Sequence, residues 1–339
     1  MPNLAVLVSI SAAAAACLLS ACITWAIRPL LSRWALARPN SRSSHRVPTP
    51  QGAGIAVVGA TVIVGATLIA YASVTDAKVA VWLFGTTLLI AVIGFADDVK
   101  TIPILPRLML QALAVGALVF ATPSEQRIFA AFPLGLERVL TLLAGLWFVN
   151  LVNFMDGLDL MTVAETVPIT ATLVILGLLG NFPMSVTIIA SALCGAMLGF
   201  SPFNRPTAKI FLGDVGSLPI GLLLGWCLLQ LAYHQQFVCA VLLPLYYLMD
   251  ATVTLLCRIS RGEPFWEAHR SHFYQLATSN GFSVLRIVSE VFSLNIGLSA
   301  LAIESTITQA SNVQALLLFI GCLSTALLMY RFSKPRLSS

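Results

Sequence analysis

Apolar residues run through this chain in long stretches, divided by short polar segments. A hydrocarbon core about 30 Å thick is crossed by about 20 residues of α-helix. Eleven runs approach that length: 4–27, 53–73, 79–96, 103–121, 138–154, 161–179, 183–201, 217–233, 237–257, 284–304 and 312–331. Glycine and proline interrupt the pattern most between 154 and 237. The first run has no basic segment ahead of it, exceeds the apolar region of a signal peptide and leads straight into arginines. It therefore reads as a span rather than a cleaved leader. The pattern predicts an all-α polytopic integral membrane protein of about eleven transmembrane helices. A single transmembrane domain is expected over 1–339, without internal repeats or a separate soluble domain.

Polar residues break into this pattern most sharply at NLVNFMDGLDL, Asn150 to Leu160. An ionised carboxylate in lipid is costly unless it reaches water, a cation or a partner. Asn150 and Asn153 share a helix face, Asp156-Gly157 breaks the helix, and Asp159 follows in the turn. The cluster asks for a polar and cationic neighbour.

At 58% hydrophobic and 10% charged residues, with a mean hydropathy of +0.91, the chain is too apolar for a soluble protein of its size. Its 7 cysteines lie inside apolar runs with no close pair of metal-ligand type, and read as small buried hydrophobes. Charge placement changes the picture more. Of the 19 Lys and Arg, only Lys78, Arg127 and Arg138 fall in one set of alternate loops; the rest fall in the other. The positive-inside rule puts the richer set in the cytoplasm, with the N-terminus outside and the C-terminus cytoplasmic. The polar motifs crowd onto that same side. A cation-coupled transporter, the rival class, would place polar groups near the midplane with access from both sides. One-sided chemistry favours an enzyme acting on a cytosolic substrate.

FADDVK ends the third run with Asp97 and Asp98, which point about 100° apart on a helix and need not share a ligand. They read as a base with a metal- or phosphate-organising partner, or as a solvated helix end, which the helix dipole makes a poor place for anions. Arg107 and Gln111, one turn apart, offer either a phosphate contact or an arginine snorkelling to the headgroups. In FNRPTAKIFLGDVGSLPIG the glycines and a helix N-terminus suit a phosphate, yet Asp214 is itself an anion there. A divalent metal bridging Asp214 and a diphosphate reconciles the two; capping of the helix by Asp214 is the alternative. Phe211 offers a ring to a base. In EAHRSHFYQ, His269 and His272 flank Arg270 and suit a diphosphate better than zinc, which lacks a third ligand on this side. A surface amphipathic helix, with Phe265, Trp266, Phe273 and Tyr274 as its apolar residues, is the other reading. Asp250, Glu165 and Glu290 lie inside apolar runs and read as structural, with Asp250 paired to a basic residue such as Arg258.

In order along the chain, RSSH…PTPQGAG, GFADD, NLVNFMDGLD, FNRPTAKIFLGDVGS and HRSHFYQ resemble the polyprenyl-phosphate N-acetylhexosamine-1-phosphate transferases, of glycosyltransferase 4 type. The resemblance covers nearly the whole chain. It implies a transferase of the bacterial inner membrane that moves a sugar 1-phosphate from a UDP-N-acetylhexosamine to undecaprenyl phosphate and releases UMP. Mg²⁺ is the implied cofactor, with Mn²⁺ as an alternative. The partners are these two substrates and membrane lipid, not nucleic acid, and assembly as a homodimer is left open. By the same resemblance Asp97 acts as base on the lipid phosphate with Asp98 as its partner, and Asp214 is the metal ligand. Asn150, Asn153, Asp156 and Asp159 shape the polar site, and Asn204 and Phe211 lie by the nucleotide. Arg107 occupies a basic position of the family, and His269, Arg270 and His272 form its histidine motif.

The chain departs from the family in four places. Leu160 replaces the second glycine of Asp-Gly-x-Asp-Gly, Gln-Gly-Ala-Gly stands where three glycines are frequent, and Ala37 stands where an aspartate is common. Three consecutive histidines, as in the muramoyl-pentapeptide enzymes, are absent. HRSHFYQ looks like the branch that initiates O-antigen and lipopolysaccharide synthesis, often from N-acetyl-6-deoxyhexosamines such as N-acetylfucosamine. Transfer of GlcNAc-1-phosphate or of phospho-MurNAc-pentapeptide is the alternative within the family.

Overall fold

A computed structural model describes residues 2–37, 48–71, 77–264, 269–308 and 310–336. The RSSH motif and the aromatic pair Phe265 and Trp266 lie outside the described residues. The described chain is almost wholly helical: α1 (Pro2–Trp34), α2 (Gly54–Tyr71), α3 (Ala77–Val99), α4 (Ile104–Ala121), α5 (Leu134–Met155), α6 (Met161–Leu178), α7 (Met184–Phe200), α8 (Asp214–Tyr233), α9 (Phe237–Leu242), α10 (Leu245–Ser260), α11 (Phe273–Ser279), α12 (Val284–Ile307) and α13 (Ser311–Phe332). Two short strands, β1 (Leu36–Ala37) and β2 (Thr49–Pro50), pair antiparallel beside the end of α1. Helices dominate because lipid offers no partner to a backbone N–H or C=O, so each span must satisfy its own. Pro103, Pro133 and Pro183 stand immediately before α4, α5 and α7, where a missing N–H leaves no hydrogen bond unmade.

Ten helices among the described residues are long and apolar enough to cross a membrane. The run at 237–257 is the exception to the eleven expected. It forms α9 and α10, which meet at Pro244. A proline there lacks the N–H that a continuous helix needs, and its ring clashes with the preceding turn.

The spanning helices show lipid their apolar residues, with Trp25 73% and Leu18 68% exposed. Between helices, contact comes from small residues, since lipid gives no hydrophobic drive to join apolar faces. α8 is the hub, buried without a break from Val215 to Leu224. A Cβ on Gly94 of α3 would fall on the Asp214 carbonyl at the start of α8, and one on Gly54 of α2 would fall on the Gly216 backbone. No side chain separates these backbones. Arg28 of α1 lines the polar cavity described below, so the start of the helix at Pro2 lies about 40 Å away at 1.5 Å per residue. At the other terminus the Arg336 N–H donates to the Asn280 carbonyl at 2.9 Å, just past α11.

Candidate active site

Three helix ends meet at one polar cavity of about 820 Å³, the last turn of α3, the last of α5 and the first of α8, and the first turn of α4 backs them through Arg107. Loops 156–160 and 204–213 complete its walls. Asp97 accepts the Ile102 N–H at 2.6 Å through one oxygen and Arg107 Nη1 at 2.6 Å through the other. The same Nη1 lies 3.6 Å from Asp214 Oδ2. The other Asp214 oxygen accepts Asn153 Nδ2 at 2.7 Å, and Asn153 also donates to Ser217 Oγ at 2.9 Å. Arg107 and Asn153 thus grip Asp214 from α4 and α5.

Asp98 does something the sequence did not suggest. Its two oxygens accept the backbone N–H groups of Asp214 and Val215, each at 3.0 Å. The N-terminus of α8, expected from the sequence to suit a phosphate, is already occupied by a carboxylate of the protein. Asp214 is not the cap of its own helix, and its side chain stays 27% exposed. Gly213 adopts φ +77°, and a Cβ there would stand 2.5 Å from Asp98 Oδ2, so only glycine fits.

In the 156–160 loop, Asp156 accepts the Thr162 hydroxyl. Burial pushes its carboxyl up to about 8, and the negative charges of Asp214, Asp98 and Asp159 add to the rise against the Thr162 bond. Asp159 accepts the Ala208 N–H at 3.0 Å. Asn204 accepts the Leu160 N–H at 2.7 Å and donates to the Ile210 carbonyl at 3.0 Å, lacing the two loops together. Leu160, where the family resemblance breaks, takes φ +63°, the left-handed conformation that glycine adopts freely. Phe211 pairs its backbone with Pro50, Gly52 and Ala53 and contributes to the cavity wall.

Of the residues singled out from sequence, Asp98, Asn153, Asp156, Asp159, Asn204, Phe211 and Asp214 line the cavity. Asp97 and Arg107 stand behind Asp214, with Asp97 only 7% exposed. Asn150 faces elsewhere: buried, it donates to Gln111 Oε1 at 2.8 Å and to the Leu146 carbonyl, tying α5 to α4. His269, Arg270 and His272 do not line the cavity among the described residues. His272 is buried, its ring stacked 4.8 Å from that of His269. Burial, with His272 and Arg258 nearby, lowers His269 to about 4, so it meets neutral pH uncharged. Asp250 does not pair with Arg258, which instead donates to the Pro264 carbonyl at 2.7 Å and lies 3.5 Å from Glu263.

Arg28, Gln51, Lys209 and Gln275 line the cavity unforeseen. Gln51 and Lys209 fall within the quoted motifs PTPQGAG and FNRPTAK, and Gln51 donates to the Asp98 carbonyl at 2.9 Å. Arg28 counted only as one interfacial arginine among many.

Among the described residues, no three acidic, histidine or cysteine side chains converge as a complete metal cage. Mg²⁺ commonly takes one or two carboxylates, with substrate phosphates and water completing its shell. Asp214, partly exposed in a cavity crowded with acids, fits that donor set.

Residues 79–232 match the sequence model of glycosyl transferase family 4. That stretch carries every acid of the cavity, from Asp98 to Asp214, and ends before the histidine motif. Over longer spans the chain is similar to named enzymes. It is 29% identical over 312 residues to a decaprenyl-phosphate N-acetylglucosaminephosphotransferase of Mycobacterium leprae, covering 80% of this chain and 77% of that one. It is 25% identical over 295 residues to a probable undecaprenyl-phosphate N-acetylglucosaminyl 1-phosphate transferase of Bacillus subtilis, covering 79% and 80%. A phospho-N-acetylmuramoyl-pentapeptide-transferase of Gluconacetobacter diazotrophicus is 30% identical over 241 residues, covering 60% and 64%.

Proposed function

We propose that this membrane protein transfers a sugar 1-phosphate from a UDP-N-acetylhexosamine to a polyprenyl phosphate, releasing UMP. The observation that carries the reading is the Asp97–Arg107–Asp214–Asn153 chain, which presents Asp214 and Asn153 to a cavity large enough for a nucleotide sugar while Asp97 and Arg107 back them. Phosphoryl transfer asks the protein mainly for alignment and charge neutralisation. Arg107 presents its guanidinium beside Asp214, while Arg28 and Lys209 bring further positive charge to the cavity. Asp98 fixes the start of α8, so that Asp214 stays put while substrates come and go. Asp214, with Asp156 near it, would hold Mg²⁺, which when bound supplies charge neutralisation to the diphosphate.

An apolar cavity of about 350 Å³ between α4, α5, α8 and α9 supports a lipid acceptor. It begins at Phe148 and Val149, one turn from Asn153, and runs toward Phe129, Phe132 and Phe237. With the site at the cytoplasmic face of a bacterial inner membrane, the acceptor phosphate reaches the acids laterally from the bilayer. In that orientation the N-terminus lies outside and the C-terminus inside.

The relatives' names point to N-acetylglucosamine as the donor sugar, whereas HRSHFYQ points to an N-acetyl-6-deoxyhexosamine and an O-antigen role. UMP release from a panel of UDP-sugars, with undecaprenyl phosphate and Mg²⁺, tests both levels. Release that depends on the lipid acceptor supports the reaction, and the preferred sugar names the donor. No release with any UDP-sugar would sink the proposal.

A further inference from the structure

Asp250 of α10 is fully buried and lines neither the polar nor the apolar cavity. A carboxylate taken out of water needs partners to persist. Five groups surround this one. Oδ1 accepts the Phe273 N–H at 3.0 Å and lies 3.3 Å from both Thr254 Oγ1 and His272 Nδ1. Oδ2 accepts the Tyr274 N–H and the Tyr246 hydroxyl, each at 3.1 Å.

The two backbone donors are the first N–H groups of α11, whose own preceding residue, His272, supplies no side-chain cap. A helix of seven residues has no stability of its own in isolation. Asp250 therefore caps α11 from another helix and fixes where it sits.

What α11 then touches is the site. Tyr274, with no exposed surface, donates its hydroxyl to the Phe154 carbonyl at 2.9 Å in the last turn of α5. The same hydroxyl fills the space beside Gly157, where a Cβ would overlap it and would come 3.1 Å from Gln275 Nε2. Phe154 follows Asn153, and Gly157 follows Asp156. Asn153 and Asp156 thus each precede a residue in contact with Tyr274.

We propose that Asp250 is a positioning residue, which through α11 and the Tyr274 hydroxyl holds Asn153 and the Asp156–Leu160 loop in register with Asp214. The proposal deepens the transferase reading and rests on it for its kinetic consequence. A displacement of about 1 Å in such a loop can cost roughly 100-fold in rate.

The test uses the full chain purified in detergent. Asp250→Asn is expected to lower kcat for UMP release about 100-fold, with KM for the UDP-sugar changed by less than about threefold. Gly157→Ala is expected to lower kcat similarly, by pushing the loop off Tyr274. Adding Tyr274→Phe removes the overlapping hydroxyl, and the double variant is expected to recover about tenfold or more. Losses that simply multiply in the double variant would overturn the proposal. Should Asp250→Asn not fold, Tyr246→Phe and Thr254→Val, each removing one hydroxyl beside the Asp250 carboxylate, are expected to lower kcat in the same direction, and unchanged kcat in both would overturn the role given to Asp250. Hydrogen exchange of the peptide spanning 153–161 reads the same brace without substrate. Faster exchange in Tyr274→Phe supports it, and unchanged exchange overturns it. If the wild type releases no UMP, the transferase reading fails, and the exchange result still decides whether α11 braces the loop.

Discussion

Asp98 and Asp214 are 116 residues apart, yet the carboxylate of the first accepts the backbone N–H of the second at 3.0 Å. An acid at the end of α3 is thereby the cap of α8. Replacing a capping side chain with alanine costs about 1 kcal/mol, within a range of roughly 0.5–2. Asp98→Ala should lower the thermal unfolding midpoint measurably, and Asp98→Asn, which keeps one acceptor oxygen, should lower it less. Equal losses in the two would argue that Asp98 acts by charge and not as a cap.

Arg107 serves two carboxylates at once, Asp97 at 2.6 Å and Asp214 at 3.6 Å. Lysine carries the charge but not the planar fork. Arg107→Lys is expected to lower kcat/KM by about 10-fold and Arg107→Ala by about 100-fold, in line with about 1.5–3 kcal/mol for a hydrogen bond to a charged group. Full activity in Arg107→Lys would show that its reach to both acids is dispensable.

Asp214 carries the metal assignment. Asp214→Asn should raise the Mg²⁺ concentration for half-maximal rate by at least about tenfold, the lower end of what even indirect metal contacts contribute. An unchanged Mg²⁺ titration curve would remove Asp214 from that role.

Away from the cavity, buried Asn295 of α12 donates to Glu165 Oε2 at 2.6 Å and to the Ala164 carbonyl at 3.0 Å on α6. Such bonds between membrane helices average about 0.6 kcal/mol and reach about 1.7. Asn295→Ala should destabilise the protein on that scale while leaving kcat/KM within about twofold. A large catalytic loss at unchanged stability would move Glu165 from structural tie to part of the reaction.

His269 gives the expected pH behaviour. Its folded pKa of about 4 lies below the ordinary 6.5, so the unfolded chain takes up the proton first as pH falls. The contribution of neutral His269 to stability is present above 6.5 and is lost as pH falls toward 4. The difference in unfolding midpoint between wild type and His269→Gln should therefore shift against the wild type over that interval. A constant difference would mean that the imidazole titrates normally.

The spans were legible because about 20 apolar residues in lipid have one economical conformation. The break that makes two helices of the run at 237–257 had a visible cause in Pro244, whose effect was masked by the apolar residues on either side. The acids of the cavity were legible because each sits in a short polar motif inside an apolar background. Their division of labour was not. Asn150 and Asn153 look alike in sequence, yet one ties α5 to α4 and the other holds Asp214. Asp250 has Arg258 nearby along its own helix, but its partners on α11 lie 23 and 24 residues on, across a turn that no local rule predicts.

The glycine contacts of α8 have a consequence for how such a protein can change over time. With Gly94 against the Asp214 carbonyl and Gly54 against Gly216, there is no side chain to trim or enlarge and so no gradual way to shift Asp214. The loops at 156–160 and 204–213 are joined by single hydrogen bonds that substitution can rearrange one at a time. New donor sugars would then be reached by redrawing those loops around a reaction centre that mutation can abolish but hardly tune.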